Sequence, residues 1–186
     1  MTGSRSFGPW PLLSRDALAD LGLFRIRRDA AVSPRSGRAH DFYVLDGPDW
    51  VNVVALTGEG RMLFVRQFRH GTQTETLELP GGSTEARDPS PLESARRELL
   101  EETGYVSECW RAIGVVDPNP AIQSNACHTF LARDVRKVAE PAPDGAEDLA
   151  VELLSPEEVS RRVGSGEIRH ALTVAALHFY ERSRAG

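Results

Sequence analysis

Three carboxylates, Glu98, Glu101 and Glu102, stand close together in the run Arg97-Glu98-Leu99-Leu100-Glu101-Glu102-Thr103-Gly104-Tyr105. In a helix each residue turns by about 100°, so Glu101 and Glu102 fall about 60° to one side and about 40° to the other side of Glu98. The three side chains then share one narrow face. Hard divalent cations such as Mg²⁺ take clustered carboxylate oxygens and keep substrate phosphates in their remaining positions. Without a cation, carboxylates three and four residues apart repel by about 0.2–0.5 kcal/mol per pair. An acidic helix face is also commonly just solvated, so the cluster alone leaves both readings open. Arg97, four residues before Glu101, is spaced to pair with it and hold its orientation.

The elements that must position this face have their own signals. A helix begins after Pro89: Ser90 suits the N-cap, Pro91 the first helical position, and Glu93 would complete a capping box with Ser90. Gly104 supplies the stop. Leu92, Ala95 and Leu99 form an adjacent apolar stripe that anchors the helix to a sheet. The same grammar recurs at Ser155-Pro156-Glu157-Glu158, opening a helix that ends near Gly164 or Gly166. A third helix is expected over about residues 169–182, with Ala171, Val174, Ala175 and Leu177 buried. Residues 14–23 read as a short helix and 33–37 as a turn. Strands are expected at 41–45, 51–56, 61–67, 112–116, 129–132 and 150–154, and 61–67, apolar on both sides, reads as central. Short strands joined by Gly turns and flanked by helices give an α/β arrangement with a mostly antiparallel or mixed sheet.

Composition narrows the function. A net charge of −5 argues against nonspecific binding to nucleic acid, where a basic surface supplies most of the affinity. No apolar run approaches the roughly 20 residues needed to span a bilayer. The N-terminus lacks the apolar core of a signal peptide. Cys109 and Cys127 form no CxxC motif, which fits a reducing cytoplasm.

Leu79-Pro80-Gly81-Gly82, followed by the run from Arg97 to Tyr105, closely resembles the Nudix box, G-x5-E-x7-R-E-U-x-E-E-x-G-U, where U is a bulky apolar residue. The resemblance implies an α/β/α sandwich with a mixed sheet and a loop–helix–loop catalytic motif. It implies that Glu98, Glu101 and Glu102, with Gly82, hold catalytic Mg²⁺ (or Mn²⁺), and that Arg97 braces them. One departure stands out. Counted back from Arg97, the family's first glycine falls on Ser83 and its first glutamate on Pro89. With Gly82 as the first glycine, Asp88 takes the glutamate position and one residue is inserted before the helix.

Upstream, Val65-Arg66-Gln67-Phe68-Arg69 and Glu75-Thr76-Leu77-Glu78-Leu79-Pro80-Gly81-Gly82 look like segments of ADP-ribose pyrophosphatases and related nucleoside-diphosphate-sugar hydrolases. That likeness implies that Arg69 and Glu78 face the substrate. The Arg69 guanidinium could fork onto a phosphate, or Arg66 and Arg69 could merely decorate an exposed strand end. It further implies a homodimer in which an N-terminal extension, residues 1–38, contributes to the partner's site, while 39–186 form the Nudix domain. Trp10 or Phe24 could stack on a base there or be buried between subunits. The Ser-Pro-Gly motif and glutamate typical of the ADP-ribose branch are replaced by Asp117-Pro118-Asn119-Pro120-Ala121-Ile122-Gln123-Ser124-Asn125. Gln123 and Asn125 offer amides that can read a base or sugar, although such loops are often only turns. His128 reads as an ordinary strand residue.

The expected reaction is Mg²⁺-dependent hydrolysis of the pyrophosphate of a nucleoside diphosphate-sugar or ADP-ribose-like substrate to a nucleoside monophosphate and a phosphorylated second product. Glu147, on the acidic stretch 140–148, or Glu98 takes the proton, with Glu140 and Asp148 as neighbouring competitors for the loop role. Alternatives are a nucleoside triphosphate pyrophosphohydrolase and a non-catalytic ligand sensor. The expected partner is a small-molecule nucleotide, with neither nucleic acid nor membrane.

Overall fold

A computed structural model describes residues 8–142 and 148–184. Its elements, in chain order, are β1 (Leu12–Asp20), β2 (Arg25–Val32), β3 (Ala39–Asp46), β4 (Trp50–Ala55), β5 (Met62–Arg69), β6 (Thr74–Glu78) and β7 (Gly81–Ser83). Then come α1 (Pro91–Thr103), β8 (Tyr105–Val106), β9 (Cys109–Val116), β10 (Cys127–Arg133), β11 (Arg136–Lys137), β12 (Leu149–Leu154), α2 (Pro156–Gly164) and α3 (Ala171–Arg184). Contacts divide the chain into two units, one of Met1–Pro48 with Asn119–Asn125, the other of Asp49–Pro118 with Ala126–Gly186.

The first unit is built on an antiparallel sheet, β1-β2-β3. Here the sequence reading needs correction: residues 14–23 form no helix, and most of them belong to β1. Cross-strand charge decides it. The Arg15 guanidinium forks onto Asp29 at 2.8 and 2.9 Å, and Arg28 reaches Asp16 at 2.8 Å. Directly facing opposite charges are the sheet's counterpart of helical i,i+4 pairs, and they override a weak local helix preference.

The second unit holds a mixed sheet ordered β7-β4-β10-β9, with β4 and β10 parallel, and an antiparallel sheet ordered β12-β5-β6. Strand periodicity splits its core in two. Val51, Val53 and Ala55 of β4 pack with Phe130, Ala132 and the Ala95–Leu99 stripe of α1. Val54, Phe64 and Leu131 instead pack with Val159, Ile168, Ala176 and Tyr180 on the α2–α3 side. With helices on both faces, this is an α/β/α sandwich, and β5 is the covered central strand of its sheet.

The helix ends follow their sequence signals closely. At α1 the capping box expected between Ser90 and Glu93 is only half made: the Ser90 hydroxyl accepts from the Glu93 N–H at 3.4 Å, but the Glu93 carboxylate lies 3.4 Å from Arg96 instead. The reciprocal capping box is complete at α2, between Ser155 and Glu158. Gly104 ends α1 at φ 75°, and a Cβ there would collide with the Ala139 carbonyl, so glycine is required twice over. In α3 the buried residues are Thr173, Ala176 and Tyr180. The expected stripe through Ala171 and Val174 is therefore rotated, and both of those residues are exposed. The rotation turns the Thr173 hydroxyl inward, where it meets a backbone N–H.

Candidate active site

The segment Leu79–Gly82 brings backbone against the carboxylate face of α1. Gly81 and Gly82 pair with Asn52 and Val51 of β4. A Cβ at Gly81 would run into the Val51 carbonyl, and one at Gly82 would sit 2.5 Å from a Glu98 carboxylate oxygen. Close approach, rather than turn geometry, explains the two glycines. The Gly81 N–H donates to the Glu102 carboxylate at 2.8 Å, and Glu102 is 2% exposed.

Arg97 lies at the centre of the site. It donates to Glu98 at 2.9 Å, Glu101 at 3.0 Å, Asp88 at 3.1 Å and the Ser83 carbonyl at 3.0 Å, with Glu85 at 3.4 Å. Burial disfavours its charge, but the bonds to Asp88 and the charges of Glu98 and Glu101 outweigh this and hold the guanidinium well above its ordinary pKa. Asp88 is held below the usual carboxylate range, first by Arg97; burial opposes, and the Ser94 hydroxyl, donating at 2.7 Å, adds to the lowering. Asp88 thus ties the loop before α1 to Arg97 and to the first turn of the helix, across the inserted residue.

A second cluster surrounds Glu78, which is 2% exposed. Arg69 forks onto it at 3.0 and 2.8 Å, the Thr76 hydroxyl donates to it, and His170 Nδ1 lies 3.3 Å away. Burial pushes the Glu78 carboxyl up, yet Arg69, His170 and Thr76 together bring it below its ordinary value. For His170 burial is the leading cause of a lowered pKa, opposed by Glu78 and aided by Arg69.

Arg97, Glu98, Glu101 and Gly82 therefore meet, Glu102 joins them through Gly81, and Arg69 meets Glu78. Gln123 and Asn125 belong by their contacts to the first unit, where Gln123 bridges to Leu45. Glu147 lies outside the described residues. Arg66 pairs with Glu152 at 2.7 Å and Glu167 at 3.0 Å. His128 lies 3.0 Å from Asp49, whose other carboxylate oxygen accepts from the Ala126 N–H. Among the described residues no three His, Cys, Asp or Glu side chains converge into a ready cation site. Sequence reasoning did not single out His170 or Thr173: neither belongs to a motif, and both act only through contacts made after folding.

The sandwich, the glycine-rich approach and the arginine-braced carboxylates accord with the family comparison. The NUDIX domain model matches residues 48–176, so this chain belongs to the Nudix family, and it is a hydrolase acting on pyrophosphate bonds. Over 152 residues it is 31% identical to an ADP-ribose pyrophosphatase of Bacillus subtilis (strain 168), covering 81% of each chain. It is 28% identical over 166 residues to an ADP-ribose pyrophosphatase of Mycobacterium tuberculosis (strain ATCC 25618 / H37Rv), covering 89% of this chain and 80% of the relative. A solved structure described as an ADP compounds hydrolase superposes with a TM-score of 0.83 at 19% identity, covering 96% of each chain, and shares the fold.

Proposed function

We propose that this protein hydrolyses the pyrophosphate of ADP-ribose or a similar nucleoside diphosphate-sugar, giving a nucleoside monophosphate and a phosphorylated second product. The observation that carries the reading is the Arg97 centre, in which one guanidinium is shared among Glu85, Asp88, Glu98 and Glu101. The names of the two curated relatives supply the substrate class.

The donor set suits Mg²⁺, with Mn²⁺ as an alternative: all its side-chain donors are hard carboxylate oxygens, and Gly82 has no side chain to displace Glu98. Glu98, Glu101 and Glu102 would hold the ion, with the Gly82 backbone beside them. Bound there, magnesium would neutralise charge developing on the phosphates and activate a water. Arg97 orients the carboxylates, and Glu147 takes the proton from the attacking water. Arg69, anchored by Glu78, faces the substrate phosphates. The test is a panel of nucleoside diphosphate-sugars, dinucleotides and triphosphates assayed with Mg²⁺ and with chelator. Nucleoside monophosphate from the diphosphate-sugars supports the reading; faster release of inorganic pyrophosphate from triphosphates overturns it.

The working form is a homodimer built through the N-terminal extension, residues 1–38. Leu12, Leu13, Leu18, Leu21 and Leu23 are exposed there, apolar surface that a second copy of the chain would cover. Sedimentation at monomer mass would refute this. A cytoplasmic location fits the two unpaired cysteines, with the Cys127 thiol pushed up to about 12 by burial and the charge of Asp49. No helix among the described residues is long and apolar enough to cross a membrane.

A further inference from the structure

Leu79 opens the segment that carries Gly81 and Gly82 to the catalytic helix, and it is 4% exposed. Its N–H donates to Thr173 Oγ at 3.2 Å, a side chain 94 residues further along the chain. The next residues are held from other directions. The Pro80 carbonyl accepts from the Val53 N–H at 2.9 Å, the Gly81 N–H donates to Glu102 at 2.8 Å, and Gly82 lies against Glu98. Each residue of the segment is therefore fixed by at least one contact, Gly81 and Gly82 also pairing with Asn52 and Val51 of β4, and the contact on Leu79 is supplied by α3.

The supplying end is itself fixed. Thr173 is 2% exposed, and the Asn52 side chain donates to the neighbouring Leu172 carbonyl at 3.2 Å. His170 Nδ1 lies 3.3 Å from both Thr173 Oγ and Glu78 Oε2. The first turn of α3 is thus tied to β4, to Glu78 at the end of β6 and to the segment that follows β6.

We infer that Thr173 is a positioning residue: its hydroxyl sets where the Leu79–Gly82 segment lies, and so where Gly81 and Gly82 hold Glu102 and Glu98. A buried N–H deprived of its acceptor keeps its desolvation cost, so the segment must shift or open to find another partner. The structural half of this inference stands alone. Its kinetic half rests on the proposed function.

Thr173→Val keeps the shape of the side chain and removes only the hydroxyl, whereas Thr173→Ser keeps the acceptor. Ala176→Gly, one turn along in the same buried face and in the same core cluster as Leu79, lowers stability while keeping the Thr173 hydroxyl in place, and serves as the control. Amide hydrogen exchange at Leu79 and Gly81 is measured alongside kcat and KM for ADP-ribose. Thr173→Val is expected to speed exchange at both amides by about 10-fold and lower kcat by about 10-fold, with KM held within about twofold. Thr173→Ser is expected to restore both readouts to within about twofold of the parent. Parent-like exchange in Thr173→Val, or the same selective loosening in Ala176→Gly, overturns the inference. Should Thr173→Val not fold, Thr173→Ala carries the same exchange measurement. If the parent protein hydrolyses no diphosphate-sugar, the proposed function fails, and the exchange comparison still decides the role of Thr173.

Discussion

Two clusters in the second unit use the same residue types in opposite proportion. Around Arg97, one guanidinium serves Glu85, Asp88, Glu98 and Glu101, with Glu102 held nearby by a backbone N–H. Around Glu78, one buried carboxylate is served by Arg69, Thr76 and His170. The first carries surplus negative charge that a divalent cation would neutralise; the second is already balanced within the protein. The difference teaches what each cluster can do: surplus carboxylates can take up a divalent cation, whereas the paired Glu78 carboxylate holds the Arg69 guanidinium in one orientation.

The largest expected effects test that surplus. Chelator abolishes activity, and Glu101→Gln or Glu102→Gln each lowers kcat by at least about 10²-fold, the scale of losing a charge-stabilising group. Circular dichroism should report a retained fold, since α1 anchors through Ala95 and Leu99. Full activity at saturating Mg²⁺ in either variant would remove that residue from the site. Next, Glu147→Gln is expected to lower kcat by about 10²-fold with little change in Mg²⁺ affinity, as for loss of a general base. A change of less than about threefold would return the role to Glu98 or to metal-activated water alone.

A smaller effect separates charge from geometry at Arg97. Arg97→Lys keeps the positive charge but cannot reach Asp88, Glu98, Glu101 and the Ser83 carbonyl together. Activity is expected to fall by about 10-fold and half-saturation by Mg²⁺ to rise, a usual cost of disturbing groups that orient metal ligands. Parent-like titration would show that charge alone suffices.

The smallest effect belongs to the balanced cluster and appears as acid lability. His170 has a lowered folded pKa, so the unfolded chain binds its proton first; the stability it supports is complete above its ordinary value of 6.5 and falls as pH drops below that. Glu78 is also lowered, so its contribution is present above its ordinary 4.5 and is lost as pH falls through the folded value. Thermal melts from pH 8 to 4 should therefore show one decline below about 6.5 and a second below about 4.5. Glu78→Gln should shrink the lower decline without abolishing it, because Asp29, Asp46, Asp49, Asp88 and Glu152 are also held below their ordinary values. A melt unchanged between pH 7 and 5 would contradict the burial of a neutral His170.

Much of the site was legible because its grammar is local. Ser90, Pro91 and Gly104 mark the ends of α1, and the three- and four-residue spacing of Glu98, Glu101 and Glu102 sets their common face whatever the rest of the chain does. Arg97 reaches Glu101 for the same reason. Asp88 could be placed by counting, but its grip on Ser94 shows only once the loop has closed onto the helix. The N-terminal strand was misread because its charges find partners on another strand, at a distance in sequence that no periodicity reveals.

The sequence by itself determined the carboxylate-bearing helix α1, the glycines that approach it and the family to which the chain belongs. Tertiary structure decided which face of α3 turns inward, that His170 completes the surroundings of Glu78, and that Thr173 receives the Leu79 N–H. The physical reason is range. Helix caps and the spacing of side chains along one helix are settled within a turn or two of chain, whereas the face turned inward depends on the packed core, and a buried N–H takes whichever acceptor that core brings to it, here one 94 residues away.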